Sequence, residues 1–257
     1  MSTTGSSVHK GLFITFEGGD GAGKTTQIAR VQQWCQEHGR RVIVTREPGG
    51  TELGVQLRHL LQNGPEDVDS RTEALLYAAD RAYHVATVIR PALERGDVVL
   101  GDRYIDSSIA YQGAARSLGV DEIRTLSTWA TCGLVPHLTF LLDLPPEVGA
   151  RRRTGAPDRL ERESMDFHER VRHQYLRLAD ENAERFVVID AVGTPDEVFR
   201  EIRGVLHERS QSLGFSSPEC DKTTQHQERD TDLSPDHSEQ PCEAQATLWG
   251  GLSGALL

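Results

Sequence analysis

Gly18-Gly19-Asp20-Gly21-Ala22-Gly23-Lys24-Thr25-Thr26 fits the spacing GxxxxGK[ST], and a loop of this kind works in only one setting. Its glycines must let backbone N–H groups close on phosphate oxygens, and the helix after it must turn its positive N-terminal end toward them. Both neighbours are present. Leu12–Glu17 is an apolar run of strand length, and Ile28, Val31, Trp34 and Cys35 recur at helical spacing after the loop. Only Lys10, Lys24 and Lys222 among the 28 basic residues are lysines. A chain that otherwise uses arginine keeps a compact ammonium where it must reach phosphate, and the Thr25 hydroxyl is placed to ligate Mg²⁺.

The same alternation continues along the chain. Strands are expected at Leu12–Glu17, Arg41–Arg46, Val98–Asp102, Leu138–Leu144 and Phe186–Asp190. Helices are expected at Thr25–His38, Thr51–Gln62, Arg71–Arg95, Ile105–Ala114, Asp121–Cys132, Pro146–Arg153, Ser164–Glu184 and Pro195–Glu208. Strands separated by helices predict an α/β fold of the P-loop type: a five-stranded parallel sheet with helices on both faces and ligands at the carboxyl ends of the strands. A polar leader at 1–10 precedes the domain at 11–210. Residues 211–257 hold eight acids against two bases and few apolar anchors, which reads as a disordered acidic tail.

Composition excludes several classes. The 257-residue chain carries a net charge of −11, which argues against a general nucleic-acid or membrane-surface binder. Its four cysteines show no metal spacing, so a disulfide framework is not expected and a reducing cytoplasm is. No apolar run reaches membrane-spanning length.

Several strand ends carry candidate chemistry. Asp102 closes an apolar strand and, beside a phosphate loop, suits a Mg²⁺ role, although a strand-end Asp can also cap a helix. Arg103 follows with a fork suited to phosphate. Glu47, Pro48 and the following Gly49-Gly50 put a carboxylate in a fixed turn at the same rim. Tyr77 and Arg81 share a helix face and could stack a base and bind a monophosphate, or belong to core and surface. Gln112 could read a pyrimidine edge, with Tyr111 against the sugar. Arg151-Arg152-Arg153 opens a basic, glycine-containing segment at 151–163. It reads either as solvated surface or as a lid carrying an arginine for the transition state, with Asp158 and Glu161 positioning the lid or the metal.

Taken together, GGDGAGKTT at 18–26, REPGGT at 46–51, LLYAADRAYH at 75–84, DRYIDSSIAYQG at 102–113 and DRLERESMDFHERVRHQYL at 158–176 resemble, in family order, the bacterial thymidylate (dTMP) kinases. The resemblance covers about residues 11–205. It implies that Gly18 to Thr26 hold the ATP phosphates and that Thr25 and Asp102 hold Mg²⁺. Asp20 would lie near the dTMP sugar and phosphate, and Glu47 and Pro48 would border the acceptor. Arg58, Arg81 and Arg103 would bind the acceptor phosphate. Tyr77, where the family more often has Phe, would stack on thymine, Ser108 and Gln112 would contact the base, and Tyr111 the sugar. One branch of the family carries its catalytic arginine directly after the loop Asp; Gly21 stands there, so the resemblance puts that arginine in the lid, as Arg153 or Arg151. Lys24, Arg103 and Asp20 complete the expected catalytic set. The implied reaction passes the γ-phosphoryl of ATP to dTMP in a homodimer. The rivals are a deoxynucleoside kinase, which would leave the acceptor-side arginines without a phosphate, and a nucleotide-switch protein, which would need an NKxD motif that the chain lacks.

Overall fold

In a computed structural model, which describes residues 11–153 and 156–215, five strands form one sheet: β1 (Leu12–Glu17), β2 (Val42–Arg46), β3 (Val98–Asp102), β4 (Leu138–Asp143) and β5 (Phe186–Asp190). All pairings are parallel, in the order β2-β3-β1-β4-β5. The register sets Phe16 and Arg46 opposite Asp102. The strand ends that carry the phosphate loop, Glu47 and Asp102 therefore emerge side by side.

Nine α-helices among the described residues cover the sheet. They are α1 (Lys24–Glu37), α2 (Glu52–Asn63), α3 (Ser70–His84), α4 (Arg90–Glu94), α5 (Ile105–Ser108), α6 (Val120–Ala130), α7 (Pro146–Arg152), α8 (Met165–Glu181) and α9 (Pro195–Glu208). Successive strand residues point to opposite faces, and both faces are buried. Leu12, Ile14, Phe16 and Phe140 pack with Val31 and Trp34 of α1 and Ile202 and Leu206 of α9. On the other face, Phe13 and Val99 meet Val85, Ile89 and Tyr104, while Leu141 meets Phe167, Tyr175 and Leu178. Each such side chain, withdrawn from water, stabilises the fold by about 2 kcal/mol.

The differences from the sequence expectation have local causes. The helix expected over 71–95 runs through a π-helical turn at Val85–Ile89 before Pro91 near the start of α4. Proline offers no N–H to the carbonyl four residues back, and the wider turn carries the chain past it. The helix expected at 105–114 is α-helical only to Ser108 and π-helical over Ile109–Ala115. The helix expected to reach Cys132 stops at Ala130, because Cys132 and Gly133 take positive φ values of 48° and 71°. Ser164 is the N-cap of α8, its side chain accepting from the Phe167 amide. The packed body also runs past residue 210. Phe215 is buried, edge-on to Trp34 at 4.8 Å, and Arg40 Nη1 donates to the Gly214 carbonyl. The expected leader at 1–10 and most of the expected tail, 216–257, lie outside the described residues, as do Thr154 and Gly155 of the lid.

Candidate active site

The loop after β1 is closed by backbone geometry. Gly18, Gly21 and Gly23 take φ values of 131°, 81° and 90°, which side-chain-bearing residues rarely adopt. A Cβ on Gly21 would also stand 2.5 Å from the Gly149 carbonyl of α7. Gly23 precedes α1 without any side-chain cap, so the first helical amides are left for an anion. Gly19 and Ala22 complete the turn, and Thr26 is exposed on the first turn of α1. Lys24 Nζ donates to the carbonyls of Gly18 and Gly19, each at 3.1 Å. Burial and the neighbouring Arg103 charge lower its pKa.

Asp102 lies beside this loop. Thr25 Oγ1 donates to its Oδ2 at 3.5 Å, and its Oδ1 is buried without a hydrogen-bond partner among the described residues. A carboxylate with an orphaned buried oxygen, next to a hydroxyl, is a donor set that suits a hard divalent cation. Arg103 follows with φ 70°, a left-handed conformation that costs a non-glycine residue of the order of 1 kcal/mol or more. The turn aims its guanidinium back across the loop. Nη2 donates to Asp20 Oδ1 at 2.5 Å, and Nη1 to the Gly18 carbonyl and to Ser107 Oγ, each at 3.2 Å. Burial opposes the charge on Asp20, but Arg103 and Lys24 outweigh it and hold its pKa at about 2.

Sequence reasoning did not find what pins this turn. Glu17, fully buried at the end of β1, accepts from the Tyr104 amide at 2.8 Å, Ser107 Oγ at 2.6 Å and Tyr175 Oη at 2.9 Å. Burial, reinforced by the Asp106 charge, pushes its pKa up to about 7. The available signal was a carboxylate closing a largely apolar strand.

A cavity of about 620 Å³ opens next to the loop. Asp20, Arg103, Ser107 and Tyr111 form one end, and Glu47, Pro48 and Arg58 a side. Tyr77, Arg81, Ser108 and Gln112 line the rest, together with residues 156–158 and 160–162 of the segment expected as a lid. Tyr111 Oη donates to Asp20 Oδ2 at 3.4 Å. Arg58 Nη1 donates to the Pro48 carbonyl at 3.1 Å. Ser108 Oγ is buried and without a partner among the described residues, and Gln112 Nε2 donates to Glu73 Oε1 at 3.0 Å. Arg81 differs from its two companions. It is 1% exposed, its Nε donates to Glu47 Oε2 at 2.7 Å and its Nη2 to the Tyr104 carbonyl at 3.1 Å. Its fork is engaged by the protein, although the residue also lines the cavity. Glu47 Oε1 in turn accepts from His84 Nδ1 at 2.9 Å, and His84 Nε2 meets Thr45 Oγ1 at 2.6 Å.

The two lid arginines separate. Arg153 borders a small cleft with Gly18, Gly19, Asp20 and His168, and its Nη1 donates to the Glu161 carbonyl at 3.4 Å. Arg151 is exposed. Asp158 and Glu161 cap each other's amides at 3.1 and 2.9 Å. Arg152, with no role expected for it, donates to the Ala191 and Val192 carbonyls at 2.7 and 2.6 Å. It thereby walls a second cavity of about 520 Å³, which runs from Gly21–Gly23 and Thr26 to the loop before α9. Nothing local in residues 191–195 marks them as part of a site; they arrive there because β5 neighbours β4.

A thymidylate kinase family profile matches residues 16–202. The thymidylate kinase of Leifsonia xyli subsp. xyli is 57% identical over 197 residues, 75% of this chain and 93% of that protein. Those of Bifidobacterium longum (strain DJO10A) and Deinococcus radiodurans are each 50% identical over 202 residues, covering 77% and 78% of this chain and 98% of each relative.

Proposed function

The chain belongs to the thymidylate kinase family, and from that premise we infer that it phosphorylates dTMP, the γ-phosphoryl of ATP passing to the 5′-phosphate to give dTDP and ADP. One observation carries the reading. A single cavity collects Asp20, Arg58, Tyr77, and Arg103 with Gln112, from four separate stretches of chain and abuts the phosphate loop.

The donor's phosphates lie on Gly18–Thr26 and its base in the cavity walled by Arg152. Thr25 and Asp102 hold Mg²⁺, which neutralises charge on the transferred phosphoryl group. In the acceptor cavity Tyr77 stacks on the base, Ser108 and Gln112 meet its edge and Tyr111 packs on the sugar. Arg103 and Arg58 take the acceptor phosphate. Arg81 holds Glu47 in place at the border. A phosphate acceptor is already anionic, so the chemistry needs positioning and charge stabilisation more than a general base. Lys24 and Arg153 supply that charge, and the placement of Arg153 beside Asp20 supports it over the exposed Arg151. Lid closure excludes water.

A homodimer fits an apolar stripe on the outside. Leu75, Ala79 and Tyr83 recur every fourth residue on exposed α3, and Trp129 of neighbouring α6 is 78% exposed. None of the described helices is long and apolar enough to cross a membrane; the site of action proposed is the cytoplasm.

The test is a coupled ADP-release assay with ATP and Mg²⁺, offering dTMP, dUMP, dCMP, dGMP and thymidine in parallel. Strong turnover of dTMP, alone or with weaker dUMP activity, is expected. Turnover of thymidine but not dTMP would replace the reading with a nucleoside kinase.

A further inference from the structure

Glu73 lies behind the base wall, fully buried on α3, with no part in the phosphate chemistry. Its Oε1 accepts Gln112 Nε2 at 3.0 Å and Arg116 Nε at 3.3 Å. Its Oε2 accepts Arg159 Nη2 at 2.7 Å and Arg116 Nη2 at 3.3 Å. Two guanidinium groups thus ion-pair with the carboxylate, and an ionised carboxylate only accepts hydrogen bonds.

That constraint fixes an orientation which a glutamine alone leaves open. The two ends of its amide are nearly the same shape, and which one faces a partner is decided by the network around it. Facing Glu73, only the NH₂ end can bond; a flipped amide would set its oxygen against a carboxylate oxygen with no proton between them. We propose that Glu73 is a positioning residue that locks the Gln112 amide so that its carbonyl and remaining N–H face the cavity, which makes the site select pyrimidines bearing an N3–H donor and an O4 acceptor and reject those bearing an N3 acceptor and a 4-amino donor. This rests on the reading that Gln112 meets the base.

Thymine and uracil carry the first pattern and cytosine the second. The lock leaves cytosine opposed at both positions, and specificity comes from the mismatch built against it as much as from the match. Gln112 is itself 2% exposed, so little water can repair a wrong pairing at its amide. A buried site built to pair specific hydrogen-bonding groups can discriminate by about 10⁴-fold.

Glu73→Gln tests the lock, because the new amide can turn either its oxygen or its NH₂ toward Gln112 and both orientations then have a partner. The measurement is kcat/KM for dTMP, dUMP and dCMP in the full-length protein with ATP and Mg²⁺. The dTMP:dCMP ratio is expected to fall by about 10-fold or more, while the dTMP:dUMP ratio stays within about twofold, since those bases share the pattern read by Gln112. Loss of the ion pairs with Arg159 and Arg116 lowers all three rates together and leaves both ratios alone, so an unchanged dTMP:dCMP ratio overturns the proposal. Both ratios falling together also overturns it, as general loosening of the cavity. If Glu73→Gln does not fold, Glu73→Asp keeps the charge but withdraws the carboxylate by one methylene; a relaxed dTMP:dCMP ratio supports the lock and an unchanged one sinks it. A wild-type protein inactive on every nucleotide would overturn the functional reading itself, whereas a wild type active on dTMP with unchanged variant ratios overturns the lock alone.

Discussion

The phosphate loop and the acceptor wall face the same reaction but are built in opposite ways. The loop is contiguous, and its shape comes from glycine backbone angles; Lys24 rests on carbonyls five and six residues before it. The acceptor wall is assembled from distant pieces, and buried polar contacts join them: Arg81 and His84 to Glu47, and Arg159 and Arg116 to Glu73. A local device can be altered without disturbing the fold. A wall made of buried ion pairs ties substrate recognition to stability, because removing one partner strands the other in a low-dielectric interior.

This contrast can be broken by four measurements. The largest effect is expected from Arg153→Ala: kcat falls by about 10³-fold with a much smaller rise in KM, and unchanged kcat in steady-state kinetics would remove Arg153 from the chemistry. Lys24→Ala follows, with kcat down by about 10²- to 10³-fold and a thermal midpoint close to wild type. A large drop in that midpoint would show that the loop is not the self-contained device described above. Glu47→Gln should behave in the contrary manner, costing about 3 kcal/mol in urea unfolding as well as raising KM for dTMP; wild-type stability there would end the link between recognition and fold.

The smallest effect is a slope. Glu17 is held near pKa 7 by burial and by the Asp106 charge, above its ordinary carboxylate value. The folded state therefore binds this proton more tightly than the unfolded chain, and stability falls as pH rises from about 4.5 to about 7. Asp80, raised to about 6 by burial and the Glu47 charge, adds a slope of the same sign. Glu17→Gln should flatten, not abolish, the decline in urea-unfolding free energy across that window. An equally steep decline in the variant would mean that Glu17 does not carry it.

Much of the site was legible in advance because its signals are short. Glycine loops, strand-end carboxylates and a Pro-Gly turn each write their geometry within a few residues, and all five strands lie where apolar runs place them, within a residue at the ends. The boundary of the packed body was not legible, because Phe215 follows a polar stretch and its partners, Trp34 and Arg40, come from the other end of the domain. The sequence by itself determined the loop, the parallel sheet and the types of residue at the strand ends, since backbone sterics and hydrophobic periodicity act over short range. Only the tertiary structure decided which charges meet: that Arg81 answers Glu47 while Arg103 answers Asp20, that Arg152 walls the second cavity, and that Glu73 faces the Gln112 amide. Those pairings depend on burial across tens of residues, and Coulomb attraction selects a partner only after the fold has removed the water between them.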